Sequence, residues 1–202
     1  MTPAQRTPSR SPGRPASATR EEVLELARQS FMAGERVDVQ AIAARLGLSR
    51  ASVYRWFGSR DGLLGTVMAI EYETMIAKAD AKCRSTGGER IIDVLDRVAR
   101  WLVASTAFRH YFENEPISGL RVLTTEDGPV QPRVIAATDQ LIARAEAEDG
   151  YRPPLDRALL AYTLVRLCEA FLYNDSVAGI RGDIDRLRAV SIALLGLADH
   201  RR

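Results

Sequence analysis

From Ser49 to Arg60 the chain reads Ser-Arg-Ala-Ser-Val-Tyr-Arg-Trp-Phe-Gly-Ser-Arg, a run of hydroxyls, guanidiniums and amphipathic rings. Read as a short helix, it turns Arg50, Ser52, Tyr54, Arg55 and Trp56 outward. Side chains of these types meet phosphate oxygens and base edges in the major groove of a duplex. No Asp or Glu occurs between Val39 and Ser59, so an approaching phosphate meets no carboxylate there. An ordinary solvated helix of this size would usually carry an acid on that face, although Arg55 fits a solvated charge equally well.

Such a helix needs a rigid mount, and Asp38–Phe57 (DVQAIAARLGLSRASVYRWF) supplies one. Two short helices crossing steeply through a tight turn require a small residue at the contact, a glycine where the backbone turns left-handed, and a branched apolar residue to pin the second helix. Ala43, Gly47 and Val53 meet these needs at separations of four and six. The alternative is a plain helical hairpin, since Ala and Gly are common. Upstream, Thr19 and Glu22 form a capping box before a helix with Val23, Leu24, Ala27 and Phe31 on one stripe. Downstream, Ser59 caps a long fourth helix through Leu63, Leu64, Val67, Tyr72 and Met75 to about Lys82.

A second chemical constellation lies in the apolar stretch Asp156–Asn174. Tyr162, Arg166, Glu169 and Tyr173 recur at spacings of four, three and four, which places them along one helical face. Buried charge demands compensation. The stripe therefore reads either as an Arg166–Glu169 pair satisfying itself at an interface, or as the few oriented polar groups of a ligand cavity. Tyr72, Trp101, Phe108, Tyr111 and Phe112 are the aromatic residues available to wall such a cavity, or to fill an ordinary core.

The other segments, about Glu89–Ser105, Phe108–Asn114, Gln131–Asp149 and Asp183–Ala198, also read as helices. They are separated by Gly87-Gly88, Pro116, Gly128-Pro129, Gly150 and Gly182. No period-two pattern bounded by hairpin turns appears, so the expected fold is all-α with about nine helices. The expected division is a basic N-terminal tail at 1–18, a helix-turn-helix domain at 19–65 and a helical ligand-binding and dimerisation domain at 66–202. The tail carries Arg6, Arg10 and Arg14 among four prolines, with no acid. It reads as disordered and phosphate-attracting, with Gly13-Arg14-Pro15 suited to a minor groove.

Residues 1–65 hold ten Lys/Arg against six Asp/Glu, whereas the overall formal charge is only +2, so the basic excess sits in the first third. Hydrophobic residues at 46% and charged ones at 27% fit a globular chain. The apolar stretch at 158–173 is too short to span a bilayer and carries Arg166 and Glu169. Cys83 and Cys168, far apart, read as reduced thiols in a cytoplasm. With only His110 and His200, no metal-spaced cluster and no nucleophile elbow, neither a metal, a cofactor nor an enzymatic site is expected.

Residues 19–68 resemble the DNA-binding domain of TetR-family regulators. The match is carried by Tyr54-Arg55-Trp56-Phe57-Gly58-Ser59-Arg60-Asp61-Gly62-Leu63-Leu64. The resemblance implies that Ser49 and Tyr54 bond phosphates, that Arg50, Ala51 and Ser52 face base edges, and that Gln40 and Arg60 clamp flanking phosphates. Family members usually have lysine in place of Arg60 and histidine or tyrosine in place of Trp56, whose indole offers only a donor. Phe57, Leu63 and Leu64 read as core. The C-terminal half resembles the QsdR-type regulators of quorum-signal degradation at Glu113–Pro116, Val130–Arg133 and Glu169–Tyr173. That resemblance implies a lactone-like or similarly amphiphilic inducer.

The implied protein is a cytoplasmic, nucleoid-associated homodimer joined through its last two long helices. It would be a repressor of operator DNA released by a small hydrophobic or amphiphilic ligand. A regulator without a small-molecule ligand and a non-specific architectural DNA binder are the alternatives.

Overall fold

The computed structural model describes residues 18–125, 128–174 and 182–197. They form ten α-helices: α1 (Arg20–Met32), α2 (Val39–Arg45), α3 (Arg50–Phe57), α4 (Arg60–Ala81), α5 (Gly87–Ala104), α6 (Thr106–Asn114), α7 (Pro116–Thr124), α8 (Val130–Asp149), α9 (Arg157–Glu169) and α10 (Ile184–Leu194). A π-helical turn, Ala170–Asn174, continues α9. No strand occurs among the described residues. The basic tail at 1–17, and with it Gly13-Arg14-Pro15, lies outside them.

The helix starts follow the side chains that satisfy their free amides. Thr19 and Glu22 close a reciprocal capping box at 2.7 and 3.2 Å. The Asp38 carboxylate accepts from the amides of Gln40 and Ala41, Ser49 from Ser52, Ser59 from Gly62 and Asp156 from Leu159. Each such cap is worth about 1 kcal/mol.

One helix more than expected is present, because Pro116 starts a helix instead of closing a loop. At the first helical position proline loses no hydrogen bond and its fixed φ suits the turn, and α7 follows it through Thr124.

Val23, Ala27, Phe31, Ile42, Ala43, Val53 and Phe57 are buried and knit α1–α3 into a small unit around the start of α4. Helix α4, about 33 Å long, buries every residue from Leu63 to Ala69. It packs on α1 and α3 of the small unit and on α5, α7 and α8 of the larger half. It thus passes through residue 65 without a break and belongs to both halves of the chain. Gly62 makes the α3–α4 corner feasible, since a Cβ there would lie 2.0 Å from the Phe57 carbonyl oxygen. In the larger half, α8 lies between α4, α5 and α9.

Candidate nucleic-acid interface and effector cavity

The α2–α3 unit presents one face outward. Val39, Ile42, Ala43, Val53 and Phe57 fix it from within, and Gly47, at φ 65°, reverses the backbone between the two helices. Gln40, Ser49, Arg50, Ala51 and Arg55 are exposed, with Ser52, Tyr54 and Trp56 half-buried at the margin. The Arg50 guanidinium lies 5.7 Å from the centre of the Tyr54 ring and donates to its hydroxyl at 3.4 Å. The Ser49 and Ser52 hydroxyls are 3.0 Å apart. Seven of the eight expected DNA-facing residues are thus exposed or half-buried. Trp56 also packs against the core with part of its ring.

Arg60, the eighth, is held elsewhere. Its guanidinium grips the Glu115 carboxylate through two bonds of 2.6 and 2.7 Å and donates to the Val37 carbonyl at 2.9 Å. Its side chain is only 19% exposed, so a carboxylate occupies the position expected of a phosphate. The next residue mirrors the arrangement: the Asp61 carboxylate accepts from Ser118 at 3.0 Å and from Arg121 at 2.5 and 3.0 Å. Two adjacent residues of opposite charge thus clasp the first turn of α4 to the α6–α7 segment. The sequence left this clasp unread, although Glu115 lies in one of the strings carrying the QsdR resemblance, because helical spacing on α4 gives no sign of a contact with residue 115.

Phe31 extends the junction. Its ring meets Phe108 edge-on at 5.1 Å and Tyr111 at 6.0 Å. Beside it an open cleft of about 420 Å³ lies between Glu35–Val37, Arg60 and the His110–Glu115 segment.

In the larger half, a small cavity of about 40 Å³ is lined by Met68 and Tyr72 of α4, Phe108 of α6, Leu123 of α7, Val130 and Val134 of α8, Cys168 and Glu169 of α9, and Leu172 and Tyr173 of the π turn. Of the nine expected ligand residues, Tyr72, Phe108, Glu169 and Tyr173 line it. The other five are elsewhere. Tyr111 lines the open cleft, and Phe112 lines an outer groove. Trp101 is half-buried against the core, and Tyr162 is 49% exposed. Arg166 sits at the edge, with Nη1 2.8 Å from the Glu169 carboxylate. The expected single stripe divides within α9: Tyr162 and Arg166 lie outside or at the edge, whereas Glu169 and, in the π turn that follows, Tyr173 line the cavity.

The cavity's polar groups are few and unevenly satisfied. The Tyr72 hydroxyl is 3.2 Å from the Thr138 hydroxyl. The Gln131 amide donates to both the Leu123 carbonyl and Glu169 Oε1. Glu169 Oε2 accepts no hydrogen bond, although Arg166 Nη1 pairs with it electrostatically at 2.8 Å. Burial raises the Glu169 pKa, with Arg166 and Gln131 opposing that shift. Burial likewise pushes the Cys168 thiol up to about 12, so it remains a protonated wall group. Among the described residues no group of three or more His, Cys, Asp or Glu is placed to hold a metal.

The tetracyclin repressor-like C-terminal domain model matches residues 86–196, more than half of the chain, and the model of bacterial regulatory proteins of the tetR family matches residues 23–67. The chain belongs to the TetR family. The structure of the R. erythropolis transcriptional repressor QsdR from that family is similar over 91% of this chain and 97% of its own, with 29% identity and a TM-score of 0.81. A TetR transcriptional regulator from Rhodococcus sp. RHA1 shares the fold, at 22% identity and a TM-score of 0.55 over 87% of this chain and 93% of its own. No curated protein matches the chain. TetR-family members are DNA-binding regulators, not enzymes, and act as dimers, with a DNA-binding N-terminal domain and a ligand-binding C-terminal domain. Among the described residues of this TetR-family regulator no helix is long and apolar enough to cross a membrane.

Proposed function

We propose that this TetR-family regulator is a repressor acting at the bacterial nucleoid, which occupies an operator as a two-fold dimer and leaves it when a small hydrophobic or amphiphilic molecule enters the cavity. The observation that carries the DNA part is the exposed, acid-free rim of α3 on a capped helix-turn-helix. Arg50, Ala51 and Ser52 read base edges there, and Ser49, Tyr54 and Gln40 hold phosphates. Trp56 packs beside them as support. Arg60 takes the role of a clasp and not of a phosphate clamp.

Dimerisation is assigned to α9 and α10. Leu159 is 52%, Tyr162 49% and Val190 45% exposed, apolar area that a second copy would cover across a two-fold axis. That assignment also gives Tyr162 a place outside the cavity.

The clasp suggests the route of release. The cavity touches α4 at Met68 and Tyr72, α6 at Phe108 and α7 at Leu123, so a ligand that expands it separates helices whose ends meet at Arg60–Glu115 and Asp61–Arg121. A preference of about 3 kcal/mol for the non-binding arrangement would weaken operator affinity roughly a hundredfold.

Fluorescence anisotropy on the chain's own upstream DNA and on a scrambled duplex tests the DNA part. Preference for the upstream duplex, with affinity falling steeply as salt rises, is expected. Equal affinity for both duplexes would leave only an architectural binder. The small cavity favours a second reading, a regulator with no small-molecule ligand. A thermal-shift screen of hydrophobic compounds with operator release as second readout separates the two: no shift and no release would retire the effector.

A further inference from the structure

The effector reading leaves open what kind of molecule the cavity would take, and two buried groups narrow it. Glu169 is nine-tenths buried, with a side chain 10% exposed, and its Oε2 accepts no hydrogen bond. An acceptor left unpaired away from water costs free energy that a ligand's donor recovers. Tyr173, which borders the same cavity, makes no hydrogen bond with any described residue. Its hydroxyl therefore has an unused donor.

The Gln131 amide is already spent on Leu123 and Glu169 Oε1, and Tyr72 is paired with Thr138. The wall thus holds one buried acceptor without a hydrogen bond, Glu169 Oε2, and one hydroxyl with no protein partner among the described residues, that of Tyr173. The remaining lining is mostly Met, Leu, Val and Phe. A cationic ligand head would meet the Arg166 guanidinium, 2.8 Å from the same carboxylate.

Space is the other constraint. The cavity of about 40 Å³ holds little more than a water. Leu102, Phe108, Leu172 and Tyr173 line both this cavity and an outer groove of about 350 Å³, where Val103 and Phe112 add apolar surface. Motion of this shared wall would join a polar inner end to the outer groove, whose floor is apolar and whose lining also includes Arg109 and Glu113. The wall includes the π turn, a helical irregularity frequent at functional sites.

Resting on the effector reading, we infer that the ligand is an uncharged amide on an extended apolar chain, its N–H donating to Glu169 Oε2, its carbonyl accepting from the Tyr173 hydroxyl, and its chain lying in the outer groove.

Three probes of equal heavy-atom number test this on the full chain: N-methyloctanamide, methyl octanoate and decylamine. Titration calorimetry at about pH 8, where an alkylamine is largely cationic, measures binding. Operator release is followed in parallel by anisotropy. The amide is expected to bind about tenfold or more tightly than the ester. Tyr173→Phe and Glu169→Met are each expected to cut that advantage to about threefold or less. Tyr173→Phe removes only one oxygen, and the probe comparison on the unaltered protein needs no variant. Equal binding of amide and ester, tightest binding of decylamine, or binding of no probe would each overturn the inference. Release of the operator by ester and amide alike would sink the amide chemistry and keep the effector reading. Tight, selective amide binding with the operator still held would keep the chemistry and sink the effector reading.

Discussion

At α3, Ser49, Arg50, Ala51, Ser52 and Tyr54 come from one short segment, the first three in solvent and the last two half-buried beside them. The cavity draws Tyr72, Phe108, Glu169 and Tyr173 from four elements and measures only about 40 Å³. One surface is accessible as it stands, whereas the other is small. On the proposed function the contrast follows from two kinds of ligand: a duplex is large and charged and needs an accessible, fixed rim, while a small apolar molecule needs water excluded around it. The Arg60–Glu115 and Asp61–Arg121 clasp lies between the two regions and links a preformed surface to a deformable interior.

The largest effect should come from the preformed surface. Arg50→Ala removes a guanidinium that touches no described residue besides Tyr54 in its ion-pairing and hydrogen-bonding contacts. It should weaken operator binding by about 1–3 kcal/mol per half-site, compounded across the dimer, with the melting temperature unchanged. Anisotropy with thermal denaturation checks both. Unaltered affinity would remove α3 from the interface and with it the comparison.

Gly62→Ala should come next. Its Cβ would be driven against the Phe57 carbonyl, a backbone atom with little room to yield. A loss of about 1–3 kcal/mol of stability is expected, accompanied by weaker operator binding because α3 ends at that corner. Thermal melts in parallel with anisotropy show whether both readouts fall together.

The sequence was legible where local rules govern. Capping side chains marked the starts of α1 and α4, and Ala43, Gly47 and Val53 marked the helix-turn-helix, because each acts on neighbours only a few residues away. It was misleading where proline's role depends on position, as at Pro116, and where a helix changes its winding, as after Glu169. Tyr162 and Tyr173 share an expected stripe, but only Tyr173 reaches the cavity and Tyr162 stays exposed. Arg60 illustrates the other limit. Its residue type fits a phosphate and a carboxylate equally well, and only tertiary packing brings Glu115 within 2.6 Å.

A smaller effect is expected at the clasp. Glu115→Gln keeps one acceptor for Arg60 but loses the charge, for about 1 kcal/mol and a melting temperature lower by about 2–4 °C. Faster amide hydrogen exchange should appear around Phe57–Leu63. Glu25→Gln breaks a pair whose side chains are 41% and 51% exposed, and should do neither. If the two variants behave alike, the clasp is an ordinary surface contact and does not join the two regions.

The smallest effect, and the one most specific to the interior, is a pH dependence at Glu169. Burial raises its pKa, so the folded chain holds this proton more tightly than the unfolded chain does. Stability from this group is therefore greatest below the unfolded value of about 4.3 and declines as pH rises to the raised folded value, beyond which the full penalty persists. Glu169→Gln removes the ionisation. Subtracting its melting temperature from that of the unaltered protein should give a difference that moves in the variant's favour from about pH 4 to about pH 7. Arg50→Ala, at a solvated surface, should give a flat difference over the same range. A flat difference for Glu169→Gln as well would mean that its carboxylate is as well solvated as the recognition helix, and the contrast between a wet rim and a dry interior would fail at its most polar point.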